Sequence, residues 1–215
     1  MCNKILKFML TGVTALLVSA CSMFGIATTE EAKYQTISKQ DNFSVKSYSP
    51  VMVASVIIKD KEYSDAANKG FRILFKYIDG ANVSQQKISM TAPVVIKPES
   101  VNISMTAPVF ITPDNADEWV ISFVMPADFT PKNTPKPKNE EVKISQRPAM
   151  KVAVIEFSGL LSESSIEENT KKLEYWISLQ KLKIVGEPII AGYNPPWTIP
   201  FLRRNEIQIP VADYL

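Results

Sequence analysis

The segment SPVMVASVI, residues 49–57, is the main sequence indication of the fold, because its pattern returns later in the chain as RPAMKVAVI, residues 147–155. Each copy is an alternating apolar segment that leads through a short turn into a helical pattern. Both helical patterns end in an aromatic cluster, FRILFKYI at residues 71–78 and KKLEYWI at residues 171–177. A repeat of about a hundred residues is long enough for one α/β unit in each copy and too long for a solenoid turn. The sequence therefore predicts two similar halves.

Apolar residues recur at helical spacing in both halves, which predicts helices near residues 64–79 and 163–180. Ser64 is the expected N-cap of the first helix. Ser164 and Glu167 fit a capping box at the start of the second helix. The remaining segments alternate between apolar and polar residues, as strands do. The predicted strands are residues 43–48, 51–58, 86–96, 102–111, 118–125, 141–147, 150–157, 184–193 and 205–211.

The heptapeptide ISMTAPV occurs twice without change, at residues 88–94 and 103–109. In an extended chain, each copy has its apolar side chains on one face and its serine and threonine on the other. The segment KPES between the copies predicts an antiparallel hairpin. Pro93 and Pro108 lack a backbone N–H group, so each must lie at an edge, a bulge or a bend. Strands that bend in this way suit a small barrel, and each predicted helix needs a sheet to cover its apolar face.

A proline-rich segment, residues 125–141, lies between the two halves. It contains four prolines and alternates poorly, so it is expected to be an extended connector. The two halves are nevertheless expected to share one core.

The N-terminal residues have the layout of a signal peptide. Lys4 and Lys7 precede an uncharged apolar run at residues 8–19, which is too short for a membrane span. The segment LVSAC, residues 17–21, resembles a bacterial lipobox, in which Cys21 becomes the lipidated first residue of the mature protein. Two alternatives stay open at this point: a cleaved signal without lipid, and an uncleaved apolar anchor.

The predicted organisation is a lipoprotein signal peptide at residues 1–20, a lipid-anchored tether at 21–33 and one folded domain at 34–215. A bacterial lipid-modified terminus carries several acyl chains, which is enough for firm attachment to a membrane. Lipoproteins retained in the inner membrane typically have Asp after the lipidated cysteine, whereas this chain has Ser22. The expected location is therefore the bacterial cell envelope, with the outer membrane favoured.

The composition excludes several function classes. The chain has no histidine, so Ser-His-Asp catalysis, Cys-His catalysis and His-ligated zinc are ruled out. Removal of residues 1–20 takes away two lysines and no acid, so the 24 basic side chains become 22, equal to the 22 acidic ones. A neutral chain lacks the positive charge that nucleic-acid binding needs. Cys21 is then the last cysteine, so no intrachain disulfide can form. We predict no enzymatic activity and no nucleic-acid partner.

Several segments together resemble the SOUL family of heme-binding proteins, and in particular its bacterial members, which also tend to double the MTAPV segment. They are KISMTAPV at residues 87–94, AVIEFSG at 153–159 and GYNPPWTIPFLRRNEI at 192–207. The resemblance runs from about Tyr34 to Val211. It implies an α+β fold, a distorted antiparallel β-barrel with two flanking helices and two similar halves, which small-molecule-sensing effector domains share. It also implies heme or another tetrapyrrole in a hydrophobic groove beside the first helix.

The first helix supplies the candidate groove residues that follow from this resemblance. Some of them must face the barrel, since one helix cannot offer every side to a ligand. The candidates for the porphyrin surface are Phe71, Leu74, Phe75 and Ile78, and Lys76 is the candidate partner of a propionate.

A chain without histidine can offer heme iron only a weaker ligand, or none. Met90 and Met105 are candidate thioether ligands, and Tyr77 is a candidate phenolate. Each has an alternative role in packing, as core filler for the methionines and as part of the helical apolar stripe for Tyr77.

The basic pair near the C-terminus matches an Arg pair of the family. Arg203 is the candidate that contacts the ligand. The alternative is that Arg203 and Arg204 clamp the last strand onto the barrel through Glu206.

Two hypotheses on function remain. The first is a carrier or scavenger that binds heme or another tetrapyrrole at the cell envelope. The second is a ligand-free interaction module, or a sensor of another planar apolar small molecule, in the same place.

Overall fold

The computed structural model describes residues 30–84, 101–115, 117–194 and 198–213. The first helix, α1, spans Tyr63–Ile78, and the second, α2, spans Glu163–Leu179. Ten strands within the described residues form one antiparallel sheet. In chain order they are β1 Tyr34–Gln40, β2 Phe43–Tyr48, β3 Val51–Lys59, β4 Val109–Asn115, β5 Glu118–Val124, β6 Lys143–Arg147, β7 Met150–Phe157, β8 Leu182–Ile184, β9 Ile189–Gly192 and β10 Asn205–Asp213.

The order of the strands confirms the two similar halves. It is β6–β3–β5–β4–β9–β10–β7–β2–β1, with β8 alongside β10. One half is β2–β3–α1–β4–β5 and the other is β6–β7–α2–β9–β10. Exchanging the two halves leaves the order of the eight strands from β6 to β2 unchanged. The centre of this symmetry is the β4–β9 pair, where Ile111 lies opposite Ile190 and Val109 opposite Gly192. The predicted α+β class is confirmed, as two helices on an antiparallel sheet that curls into a half-barrel.

The helices cover one face of the sheet, and one apolar core lies beneath them. Leu74 of α1, Ile121 of β5, Ile155 of β7 and Leu173 of α2 are all buried in it, so both halves contribute to the same core. Successive side chains on a strand point to opposite faces. Val154, next to Ile155, accordingly belongs to a second apolar cluster on the inner face of the half-barrel.

Both helices lie within one residue of their predicted bounds, but both predicted caps are wrong. The N-cap of α1 is Glu62, without a side-chain cap, and Ser64 lies inside the helix. The N-cap of α2 is Ser162, whose hydroxyl accepts a hydrogen bond from the backbone N–H of Ser165 at 3.2 Å. Several serines follow one another at this point, and only the backbone conformation decides which of them is the last extended residue.

The strand predictions succeed best where the strand is largely buried. Strands β2 and β7 have the predicted bounds. Strand β1 was not predicted, because all of its residues are exposed and its sequence shows no apolar alternation. The predicted strand at 184–193 is two strands, β8 and β9, separated by a turn that contains Gly186.

The second copy of the heptapeptide bends at its proline, as expected. Pro108 separates the short strand Thr106–Ala107 from β4. Thr106–Ala107 pairs in parallel with Glu30–Glu31. The first copy and the predicted strand at 86–96 lie outside the described residues, so the hairpin between the two copies stays a prediction.

The connector at residues 125–141 is not a free spacer. Met125 and Thr134 are buried, and Lys136–Pro137 pairs as a short strand with Asn82–Val83. The hydroxyl of Tyr77 donates a hydrogen bond to the carbonyl oxygen of Pro135 at 2.8 Å. The connector therefore packs against the end of α1.

No helix among the described residues combines the length and apolar character that crossing a bilayer would require.

Candidate ligand-binding groove

A groove of about 530 Å³ lies where the two halves of the molecule meet. One wall is the face of α1 that carries Tyr63, Ala67 and Phe71, which are spaced by four residues and so lie along one side of the helix. Cavities of about 300–1,000 Å³ are typical of small-molecule sites. The other lining residues are Ser64 and Asn68 of α1, Val109 and Ile111 of β4, Gly192 of β9, Leu160, Leu161 and Ser162 before α2, and Asn194 and Arg203.

The starts of the two helices meet at one end of this groove. The backbone N–H of Tyr63 donates to Oε1 of Glu163 at 3.3 Å, which links the first residue of α1 to the first residue of α2. The Tyr63 ring packs edge-on against Trp119 of β5, with ring centroids 5.5 Å apart. This end of the groove is therefore built from packed aromatic rings and helix termini.

Helix α1 is seated deeply on the sheet because Gly70 has no side chain. A Cβ atom at this position would lie 2.6 Å from Cγ1 of Ile121 in β5, well inside any normal contact distance. The close approach fixes the rotation of α1 about its axis. As a result, Leu74 and Ile78 point into the core, while Ala67 and Phe71 line the groove.

The walls of the groove are largely apolar and include an aromatic surface. Phe71 packs edge-on against Phe123 of β5, with centroids 5.2 Å apart, and lies nearly parallel to Phe75, with centroids 6.1 Å apart. Both contacts restrict the Phe71 ring. A ring held in this way can stack against a planar apolar ligand without a large loss of side-chain entropy.

The polar groups of the groove lie on its other side. Among the described residues that line it, Arg203 carries a positive charge and no Asp or Glu is present. Nε of Arg203 donates to the carbonyl oxygen of Thr198 at 2.8 Å, which orients the guanidinium group. A guanidinium at the edge of an apolar groove is suited to a ligand that carries carboxylate groups.

The structure brings together two of the residues selected from the sequence, Phe71 and Arg203. Leu74 and Ile78 are buried in the core beneath α1, out of reach of a ligand in the groove. Phe75 and Lys76 are exposed and lie beyond the residues that line it.

The two candidate iron ligands that the structure describes, Met105 and Tyr77, lie away from the groove. Met105 is partly buried and packs against the main core, as the packing alternative predicted. Tyr77 is buried with its hydroxyl bound to Pro135, and burial raises the pKa of this phenol, which keeps it protonated. Met90 lies outside the described residues.

Most of the groove residues were not selected from the sequence. The spacing of Tyr63, Ala67 and Phe71 shows that they share one face of α1. It does not show whether that face meets the sheet or a cavity. Ile111 and Leu161 come from segments distant in the chain, and nothing local marks them as neighbours of α1.

The adjacent Arg204 has the other role considered for the basic pair. Its Nη2 lies 2.7 Å from Oε1 of the fully buried Glu206, and its Nη1 lies 3.0 Å from Oε1 of Glu31. Glu206 also pairs with Nζ of the buried Lys46 at 2.8 Å. Burial acts to raise the pKa of Glu206, but Lys46 and Arg204 outweigh it and the pKa is lowered. Arg204 therefore forms the predicted clamp, and Arg203 does not.

A groove of this size, with apolar walls and a few polar groups at its edge, is typical of a small-molecule-binding site. Residues 29–210 match the family of SOUL heme-binding proteins. Because this match covers most of the chain, the protein belongs to the SOUL heme-binding protein family. Among the described residues, no group of His, Cys, Asp and Glu side chains could hold a metal ion.

Several proteins similar to this chain are named heme-binding proteins. Heme-binding protein 2 of Homo sapiens is 30% identical over 170 residues, which cover 76% of this chain and 75% of that protein. Heme-binding protein 2 of Mus musculus is 28% identical, covering 78% and 77%. Heme-binding protein 1 of Sus scrofa is 24% identical, covering 89% and 96%. Among solved structures, the EcmrR C-terminal domain shares the fold, with a TM-score of 0.57, 16% identity, and coverage of 84% of this chain and 99% of that one.

Proposed function

We propose that this protein binds heme or another tetrapyrrole in the groove between α1 and the β4–β9 pair, and that it acts as a lipid-anchored carrier or scavenger in the bacterial cell envelope. The observation that carries the proposal is the apolar groove of about 530 Å³ with Arg203 at its edge. The names of the related heme-binding proteins support the choice of ligand class.

The lining residues fit a tetrapyrrole in two respects. Phe71, Val109 and Ile111 offer apolar surface to the macrocycle, and each Å² of apolar area removed from water contributes about 25 cal/mol. Arg203 is placed to pair with a propionate. The described lining residues include no His, Cys or Met. In this proposal, affinity comes from burial of the ring and from the propionate contact, with little contribution from iron coordination.

The envelope part of the proposal is supported by the N-terminal sequence. Lys4, Lys7, the apolar run and Cys21 have the order of a lipoprotein signal. Nine residues lead from Cys21 to Glu30, the first described residue, and an extended chain of this length spans at most about 30 Å. An acylated Cys21 would therefore keep Glu30, and the domain that follows it, within about 30 Å of a membrane.

The test is a heme titration of the purified protein, followed by the Soret band, with a matched pair of variants. Leu160 lines the groove, and Leu179 is similarly exposed at the other end of α2. We expect saturable binding at one equivalent. Leu160→Asp should weaken it at least tenfold, or about 1.4 kcal/mol, because the carboxylate loses water when the ring binds. Leu179→Asp should bind as the wild type does.

The outcomes separate the alternatives. Unchanged binding by Leu160→Asp would place the ligand outside this groove. Absence of saturable binding by the wild type would reject a tetrapyrrole ligand and leave the interaction module, or a sensor of another planar apolar molecule, as the function.

A further inference from the structure

Three large apolar side chains project into solvent beside the groove. Leu160, Phe201 and Leu202 are 57%, 72% and 44% exposed, and we refer to these three residues as the apolar rim. Leu160 also lines the groove. The two loops that carry the rim are joined, since the backbone N–H of Gly159 donates to the carbonyl oxygen of Pro200 at 2.8 Å.

The backbone holds the rim in this outward position. Residues Pro200–Leu202 form a 3-10 turn, closed by a hydrogen bond from the Leu202 N–H to the carbonyl oxygen of Ile199 at 2.9 Å. Nδ2 of Asn205 donates to the carbonyl oxygen of Gly159 at 3.0 Å, which fixes the second loop. These contacts keep Phe201 and Leu202 outside the core, and a cluster of exposed apolar groups usually marks a contact surface.

The start of the described chain indicates what covers this surface. The carboxylate of Glu31 binds Nη1 of Arg204, two residues after Leu202. The described chain therefore begins close to Arg204, which follows the rim in the sequence. The tether from Cys21 to Glu30 adds at most about 30 Å to that point. A lipid at Cys21 would hold this side of the domain at the bilayer.

A second exposed apolar patch lies at the opposite end of the domain. It contains Leu179, Ile184 and Val185, and the Val185 N–H donates to the carbonyl oxygen of Pro210 near the end of β10. The 17 residues of α2 put its two ends about 25 Å apart. The tether enters near Arg204, at the start of β10, so it favours the rim over this patch.

We propose that the apolar rim inserts into the lipid bilayer, so that the groove opens at the membrane surface and exchanges its ligand with lipid. The proposal rests on the lipid anchoring in the proposed function. Phe and Leu side chains suit the boundary between head groups and acyl chains. A ligand with a planar apolar ring and carboxylate groups partitions to the same depth, with its carboxylates on the side of Arg203.

The test measures the depth of two single-cysteine probes on the lipidated full-length protein. Phe201→Cys places a probe in the rim, and Leu179→Cys places a matched one in the distant patch, where the leucine is 59% exposed. Each variant is labelled with nitrobenzoxadiazole and reconstituted into vesicles of phosphatidylcholine and phosphatidylglycerol. The labelled wild type gives the background. Vesicle flotation reports anchoring, and quenching by nitroxide-labelled lipids reports insertion.

We expect the protein to float with the vesicles and the probe at 201 to be quenched at least twofold more than the probe at 179. Flotation with equal quenching at both positions, with more at 179, or with none at 201 would overturn the insertion of the rim and leave anchoring intact. Failure of the protein to float would refute the lipid anchor and, with it, the rim as a membrane contact. Heme binding in solution is measured separately and does not depend on either result.

Discussion

Arg203 and Arg204 are neighbours in the chain, yet they serve opposite faces of the sheet. Arg203 lines the groove on the helix-covered face with Val109 and Ile111. Arg204 stacks on the Tyr193 ring on the inner face, with 3.8 Å between its guanidinium carbon and the ring centroid. Successive side chains of an extended chain point to opposite faces, so Arg203 faces the candidate ligand site and Arg204 stabilises the sheet.

This division predicts separate effects for the two arginines. Arg203→Gln should weaken heme binding about fivefold to tenfold, roughly 1–1.4 kcal/mol, because a charge-assisted contact to a propionate is lost. The loss should be much smaller for the dimethyl ester, which has no free carboxylates. Arg204→Gln should instead lower the melting temperature. Fluorescence titrations and thermal melts of both variants test this, and an equal loss of affinity for acid and ester in Arg203→Gln would contradict it.

The groove should accept a ring without iron. Protoporphyrin IX should bind within about tenfold of heme. The described lining residues offer no His, Cys or Met, and burial raises the pKa of the Tyr63 phenol, which keeps it protonated. Met105→Ala should leave the Soret band of the heme complex nearly unchanged, since Met105 packs against the core. Competition titrations measure the relative affinities of heme and protoporphyrin IX, and absorption spectra measure the Soret band. A difference of a hundredfold or more in favour of heme, about 2.7 kcal/mol, would mean that the protein supplies an iron ligand.

Gly70→Ala should destabilise the fold although alanine is the better helix former. The added Cβ would lie 2.6 Å from Cγ1 of Ile121, and overpacking of this kind costs about 1–3 kcal/mol. Urea unfolding measures the loss. Arg72→Ala, a change at an exposed position two residues away in the same helix, is the control for an exposed alanine in α1.

Combining Gly70→Ala with Ile121→Ala tests the cause directly. The second change removes the clashing atoms, so the two losses should be less than additive. Additive losses in this double-mutant cycle would show that the contact between Gly70 and Ile121 is not the reason.

The buried Lys46–Glu206 pair should make stability depend on acid pH. The pKa of Glu206 is lowered in the folded protein from its ordinary 4.5, so its contribution is present above about pH 4.5 and is lost as the pH falls through the folded value. In Glu206→Gln this component should disappear. Stability at pH 7 should also fall by about 3–5 kcal/mol, since Lys46 would be left buried without its carboxylate.

A second variant separates charge from packing at this site. Lys46→Met combined with Glu206→Leu should recover only part of the stability at pH 7. Apolar residues can replace the buried ion pair, but Tyr193, Gln208 and Arg204 lose the carboxylate to which they donate. Urea unfolding between pH 3 and pH 7 measures all three proteins. If the free energy of unfolding of Glu206→Gln falls with acid pH as steeply as that of the wild type, the pH dependence comes from other carboxylates.

Cys21→Ser should release the protein from the membrane fraction. The change removes the sulfur atom to which the lipid would be attached. Fractionation followed by a carbonate wash measures the result, with Ser22→Ala as the control that keeps the cysteine. A Cys21→Ser protein that stays in the washed membranes would refute the lipoprotein interpretation.

The elements that contribute most to the cores were predictable from the sequence. Strands β2 and β7 and both helices were predicted to within one residue, because burial requires apolar residues in the strands and places them at a period of 3.6 in the helices. The repeat of SPVMVASVI likewise predicted the two halves. It could not predict β1, whose residues are all exposed, since no burial imposes a pattern there.

Which residues form the groove depends on tertiary contacts. The apolar stripe of α1 contains both Phe71 and Leu74. Because Gly70 packs closely against Ile121, Phe71 lines the groove and Leu74 lies in the core. Arg203 and Arg204 look equivalent in the chain and differ only in the face of the sheet that each meets. The local sequence shows that a side chain is apolar or charged. The role of that side chain depends on the distant segment that it contacts, and this contact forms only when the chain folds.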